Sequence, residues 1–174
     1  MADPVEVEVV LVGPDRWREW RQARLASLQD SPDAFGSTYA REAAFTEADF
    51  RQRLSPEGPS VLAFTDGEPV ATGAGFVDLP GWCHVVAMWV DPRWRGRGIG
   101  RRVLDQVAGW ADARGLRVHL DVAVDNAAAR RLYARYGFEP TGETRPLREG
   151  SALRVERMVL VEPAQGEDDA RRAE

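Results

Sequence analysis

The hexapeptide Arg95-Gly96-Arg97-Gly98-Ile99-Gly100 sets the tightest limit on what this chain can fold into. An apolar run at residues 85–90 leads into it through Asp91-Pro92. A helical pattern leaves it, with Ile99, Val103, Leu104, Val107, Ala108 and Ala111 on one face. The segment reads as strand, glycine-rich turn, helix. Glycines without Cβ let a ligand approach the backbone. The first amides of the helix have no intrahelical partner and sit at the positive end of its dipole. Such a site takes an anionic phosphate, and Arg95, Arg97, Arg101 and Arg102 add charge beside it. A glycine turn that binds nothing has the same local sequence.

Two phosphate motifs are excluded. A dinucleotide fingerprint requires G-x-G-x-x-G, and its third glycine would fall on Arg101 or on Val103. A Walker A loop requires a lysine, and the chain has none, which also excludes Schiff-base chemistry on the protein.

A second element follows a strand at residues 117–124. In Asn126-Ala127-Ala128-Ala129-Arg130-Arg131-Leu132-Tyr133-Ala134-Arg135-Tyr136-Gly137-Phe138, Asn126 can cap a helix and Gly137 can end it. Ala129, Leu132, Tyr133 and Tyr136 fall on neighbouring turns. The two elements together resemble the GCN5-related N-acetyltransferase (GNAT) family, through Arg95, Gly98 and Gly100 in the first and Asn126, Ala129, Leu132, Tyr133, Gly137 and Phe138 in the second. The resemblance is strongest over residues 82–138 and extends over 5–161.

The rest of the pattern is compatible with that family. Strand signals stand at residues 5–12, 61–64, 70–77 and 82–90, with Asp66-Gly67 as a hairpin turn. A helix is expected over 15–28, a loop over 30–39, and a short helix capped at Thr46 and running to Leu54. Further strands are expected near 138–143 and 153–161. Hairpins followed by strand-helix-strand-helix-strand predict an α/β (α+β) fold, one central mixed sheet with helices on both faces. The resemblance implies about seven mostly antiparallel strands, the two middle ones splayed into a cofactor cleft. The expected domain covers residues 1–162, followed by a polar, mobile tail at 163–174.

The resemblance implies acetyl-CoA as co-substrate and direct attack of an amine on the thioester, without a covalent enzyme intermediate. It implies cofactor contacts at Met88, Trp89 and Val90, at Arg95, Gly96, Arg97, Gly98, Ile99, Gly100 and Arg101, and at Asn126, with Arg130 as a candidate for the 3′-phosphate. Tyr133 falls at the family's general acid. His84 falls where many members carry a glutamate, so it is the candidate base, with Asp121 or a water relay as alternatives. Strand alternation puts Trp82, His84, Val86, Met88 and Val90 on one face. Phe35, Tyr39, Phe76 and Trp82, beside Asp33 and Asp78, are the candidate acceptor contacts, a set suited to a cationic amine.

The acceptor class stays open: a small-molecule amine first, a protein or peptide amine second, and a non-catalytic acetyl-CoA-binding module third. Net charge of −5 argues against nucleic acid. The N-terminus lacks signal-peptide character and no apolar run is long enough for a bilayer, so the expectation is a cytoplasmic protein without a membrane partner. Exposed strand edges leave a homodimer open. The single Cys83 excludes an internal disulfide. His84 and His119 are far apart in sequence, and no metal is expected.

Overall fold

The computed structural model describes residues 6–161; the tail expected at 163–174 lies outside the described residues. Seven strands form one sheet in the order β1-β2-β3-β4-β5-β7-β6. They are β1 (Glu8–Leu11), β2 (Ser60–Thr65), β3 (Glu68–Leu79), β4 (Trp82–Val90), β5 (Arg117–Ala123), β6 (Phe138–Pro146) and β7 (Arg154–Leu160). Helices α1 (Trp17–Asp30), α2 (Tyr39–Ala43) and α3 (Glu47–Arg53) precede β2, α4 (Ile99–Asp112) joins β4 to β5, and α5 (Ala127–Tyr136) joins β5 to β6.

Local chemistry explains most of these boundaries. Thr46 and Asp49 cap α3 reciprocally, as the sequence predicts. Asp66 and Gly67, both at positive φ, turn β2 into β3. Asn126 Oδ1 accepts the Ala129 N–H at 3.1 Å to start α5, and Gly137, at φ 121°, ends it. The expected loop at 30–39 is interrupted by a single 3-10 turn at Pro32–Ala34 and ends where Thr38 caps the short α2, an element the sequence pattern did not separate.

Two apolar cores sandwich the sheet. On one face Val103, Leu104 and Val107 of α4 and Tyr133 of α5 pack on Val61, Val85, Val118 and Leu120. On the other, Trp20, Leu25 and Leu28 of α1 and Phe50 of α3 pack on Leu62, Phe64 and Trp89. Helix α4 lies close against β3 because that strand carries glycines there. A Cβ on Gly73 would come within 2.5 Å of Val103 Cγ1 and 2.8 Å of Met88 Sδ.

Among the described residues the one parallel pair, β4 with β5, is the one that splits. It is in register from Trp82↔Arg117 to Val85↔Leu120 and no further, although β4 runs on to Val90 and β5 to Ala123. Residues 86–90 therefore have β3 on one side and an open cleft on the other.

Within β4 the expected alternation fails. Thr72 pairs with Trp89 and Ala74 with Val86, so β4 carries one extra residue there, with Ala87 at φ 56°. The Thr72 hydroxyl donates to the Ala87 carbonyl at 2.6 Å and holds this bulge. One inserted residue exchanges the faces of a strand. Met88 and Val90 consequently join Cys83 and Val85 on the α4 side, while His84 pairs with Phe76 on the opposite face. The single face expected for His84, Met88 and Val90 is corrected by this bulge.

Candidate active site

The cleft opens into a cavity of about 680 Å³. Met88, Trp89 and Val90 form its β4 wall, and Arg95, Gly96, Gly98, Ile99, Gly100 and Arg101 form its glycine-turn wall. Asn126, Ala129, Leu132, Tyr133 and Tyr136 form its α5 wall. Its volume is in the range of small-molecule and cofactor sites.

The glycine turn has the strand-to-helix backbone that the sequence predicts. Gly98 is the N-cap of α4 at φ 75°, a left-handed conformation that a side chain would strain. An added Cβ there would meet no protein atom within 4 Å, so the space before the helix is open to a ligand. The first intrahelical bond at this end is Arg102 N–H to Gly98 O at 3.2 Å, which leaves the preceding amides free for an anion. Arg101 lies over the Tyr136 ring, 5.4 Å from its centroid, and Arg135 of α5 also lines the cavity. These residues fit a long ligand with a phosphorylated end.

Arg95 is positioned by a residue the sequence did not single out. Its Nε donates to the Val90 carbonyl at 2.9 Å, and its Nη2 reaches Asp30 Oδ2 at 2.6 Å. Asp30 is the last residue of α1, and its Oδ2 also accepts the Trp89 indole N–H at 3.0 Å. Burial pulls the Asp30 carboxyl upward, but hydrogen bonds from Trp89, Ser31 and Arg95 outweigh it and hold the group below the usual carboxylate range. No motif marks Asp30; a carboxylate at a helix C-terminus is against the dipole and was the available hint.

Tyr133 is buried, 8% exposed, and lines the cavity. Among the described residues its hydroxyl has no hydrogen-bond partner of its own, and burial pushes the phenol up to about 12. Tyr136, one turn on, donates to Asp105 at 2.8 Å. Burial first and that acceptor second push its phenol up as well. The two tyrosines thus separate into one free donor and one committed to packing and a fixed bond.

Several expected contacts lie elsewhere. Arg97 covers the Trp94 ring and does not line the cavity. Arg130 pairs with Glu156 at 2.8 Å, and Arg102 donates to the Val7 carbonyl. Of the acceptor candidates, Phe35 is buried on the cavity wall, while Tyr39 is exposed at the start of α2. Phe76 and Trp82 stand beside the two histidines, outside the cavity.

His84 is in the paired part of β4 and does not line the cavity. It stacks on His119 with ring centroids 4.6 Å apart, so residues distant in sequence are neighbours across two strands. Asp78 approaches both rings, 2.9 Å from His119 Nε2 and 3.5 Å from His84 Nδ1. Burial lowers His84 to about 4, the Asp121 carboxylate working against it. Burial likewise opposes ionisation of Asp121, but Arg157 and Arg145 hold it below the usual range. A second cavity of about 300 Å³, lined by Trp82, His119, Glu143 and Arg157, borders this group.

A mixed sheet split at its one parallel pair, with an anion-ready helix start on one wall and a free phenol on the other, defines the acetyltransferase class of fold. The chain belongs to the Acetyltransferase (GNAT) family, whose pattern matches residues 15–138. Over 126 residues it is 35% identical to a mycothiol acetyltransferase of Thermobifida fusca, covering 63% of this chain and 38% of the other. It therefore spans about two fifths of the length of that relative. Over 123 residues it is 36% identical to an L-amino acid N-acetyltransferase of Escherichia coli, covering 64% of this chain and 75% of the other. The crystal structure of a GNAT-family acetyltransferase from Streptococcus pneumoniae superposes with a TM-score of 0.72 at 21% identity, over 88% of this chain and 98% of that one. Among the described residues no helix is long and apolar enough to cross a membrane.

Proposed function

We propose that the chain transfers an acetyl group from acetyl-CoA to a primary amine of a small molecule. The observation that carries this is the cleft itself: free amides at Gly98–Gly100 at one end, the unpaired edge of residues 86–90 along one wall, and the unpartnered Tyr133 hydroxyl on the other. Amides and the cavity arginines Arg95, Arg101 and Arg135 would take the phosphorylated end of the co-substrate. The open β4 edge offers backbone groups to its amide-bearing arm and to the thioester carbonyl.

The neutral amine forms the new N–C bond as the C–S bond breaks. Tyr133 donates a hydrogen bond to the departing sulfur. A phenol at about 12 stays protonated across the working range but is a weak acid beside a thiol of about 8.5. The buried surroundings disfavour a thiolate too, which narrows that gap. Tyr133 therefore acts mainly by holding the sulfur as charge develops. Water takes the proton of the amine; His84 is left out of this step because it lies outside the cavity.

A small acceptor is supported by closure at the acceptor end. Arg148, in the turn between β6 and β7, donates to the Phe35 carbonyl at 2.9 Å, bridging that turn to the segment after α1. A protein acceptor needs an open groove there. Relatives of both acceptor classes match, a mycothiol acetyltransferase and an L-amino acid N-acetyltransferase on one side and a peptidyl-lysine N-acetyltransferase on the other, so the closure carries this preference.

CoA release with a thiol reagent, across small amines, amino acids and N-terminal peptides, tests this reading. Cys83 is fully buried and adds little background. Turnover of small amines is expected. Turnover of peptides alone would make the protein acceptor correct. Acetyl-CoA binding without any turnover would make the chain a non-catalytic module, and absence of binding would overturn the site.

A further inference from the structure

The chain has two histidines in 174 residues, and folding brings both to one carboxylate. We propose that Asp78, His84 and His119 form a site for a divalent transition metal, Zn2+ by its donor set, at the level where β4 and β5 begin to part. The expectation of no metal rested on sequence distance, and the strand register removes that basis. His84 and His119 face each other directly across the parallel pair, one residue before its last rung.

Asp78 is put there by a second bulge. Val77 pairs with Cys83 and Leu79 with Trp82, so Asp78 is an extra residue on β3 without a partner on β4. Bulges re-aim side chains. This one turns a carboxylate toward Nε2 of one imidazole and Nδ1 of the other. Two neutral nitrogens and one carboxylate oxygen are the donors of open tetrahedral zinc sites, with water in the fourth place.

The spacing is suitable. Zinc bonds of about 2.0–2.1 Å in tetrahedral geometry put ligand atoms roughly 3.3 Å apart. Here Asp78 Oδ1 lies 2.9 Å from His119 Nε2 and its Oδ2 lies 3.5 Å from His84 Nδ1, and one ligand atom from each residue falls within 4.8 Å of the others. Reaching the tetrahedral spacing asks the farthest pair of ligand atoms to close by up to about 1.5 Å. Beyond it, Asp121 Oδ2 stands 3.6 Å from His84 Nε2, the nitrogen facing away from Asp78. A carboxylate behind a metal-bound histidine is the usual support of such a ligand. Asp121 is in turn held by Arg145 at 2.6 Å and Arg157 at 3.1 Å. His119 is 1% exposed and has Asp78 as its one polar partner among the described residues, so nothing else competes for its orientation. The metal would join β3, β4 and β5 just below the cleft and take the place of the His119–Asp78 contact.

The test is titration of ZnCl2 into the chelator-treated chain, free of tag histidines, by calorimetry. One Zn2+ per chain is expected. Asp78→Asn should weaken it by more than the roughly 10- to 100-fold that loss of a supporting carboxylate costs. Imidazole nitrogen NMR on the wild-type chain gives a readout that needs no variant: the four ring nitrogens are few enough to assign, and Zn2+ should move His84 Nδ1 and His119 Nε2. Absence of stoichiometric binding, binding unchanged in Asp78→Asn, or shifts confined to one ring would overturn the site. Acetyl-CoA binding, measured beside it, reports on the cleft separately.

Discussion

The Trp89 indole donates to Asp30 Oδ2 at 3.0 Å and so ties the end of α1 to the free edge of the cleft strand. The same oxygen takes Arg95, so one carboxylate sets both the strand wall and the nearest cation of the glycine turn. Asp30→Ala should therefore loosen two walls at once. Hydrogen bonds to a charged group contribute about 1.5–3 kcal/mol. A stability loss of about 2 kcal/mol is expected by denaturant melts, with acetyl-CoA affinity falling roughly tenfold. Unchanged affinity would mean that Arg95 needs no help from Asp30.

Tyr133→Phe removes the phenol oxygen and keeps the ring that packs on Phe138 at 5.8 Å. The expected result is a kcat lower by roughly 10- to 100-fold, at the modest end for acid catalysis, with little change in acetyl-CoA affinity. Burial raises this phenol to about 12. Its protonated form is present below that value, so no alkaline downturn in kcat below about pH 10 should come from Tyr133. A wild-type limb near pH 9 that vanishes in the Phe variant would show the phenol to be far more acidic than its surroundings dictate.

The turns were legible in the sequence because their chemistry is local. Asn126, Gly98, Asp66-Gly67 and Thr46 act within a few residues of themselves, and each is a cap or turn in the fold. The family resemblance added the splay between β4 and β5. The face of His84 was not legible, because alternation assumes an unbroken strand, and the bulge at Ala87 depends on Thr72 fifteen residues earlier. Asp30 and the Asp78 group were hidden for the same reason. Their partners come from other strands and helices, with no fixed spacing to read. Phe76 and Trp82 look like acceptor aromatics in sequence, yet they pack against the two histidines.

Gly98 and Gly81 separate backbone strain from ligand contact. Both have positive φ, 75° and 79°, and an added Cβ would meet no protein atom at either. The left-handed conformation costs a side chain about 1–2 kcal/mol. Gly81→Ala, in the β3–β4 turn, should show that loss in a melt and leave acetyl-CoA binding intact. Gly98→Ala should show a similar loss and weaken binding as well, because its methyl projects toward the phosphate cradle. Equal binding in the two variants would remove the glycine turn from the site.

Arg24 of α1 and Glu42 of α2 form a two-bond ion pair at 2.9 and 2.8 Å, with Glu42 only 1% exposed. It fixes α2 and the segment carrying Phe35, over whose ring Arg24 lies at 4.8 Å. Burial raises the Glu42 carboxyl, but the hydrogen bond and charge of Arg24 prevail and the group sits below its ordinary value. A depressed carboxyl binds fewer protons folded than unfolded, so its contribution is complete above the unfolded value near 4.3 and is lost as pH falls through the folded one. Melting temperature should therefore decline through this acid window. Glu42→Gln should flatten that part of the decline and cost about 3–5 kcal/mol at pH 7, since Arg24 is left buried and unpaired. Replacing both residues, Arg24→Met with Glu42→Leu, should recover most of the loss at pH 7, because a packed apolar pair avoids the desolvation of two charges. A double variant as unstable as Glu42→Gln would show that the pair holds α2 by direction rather than by filling space.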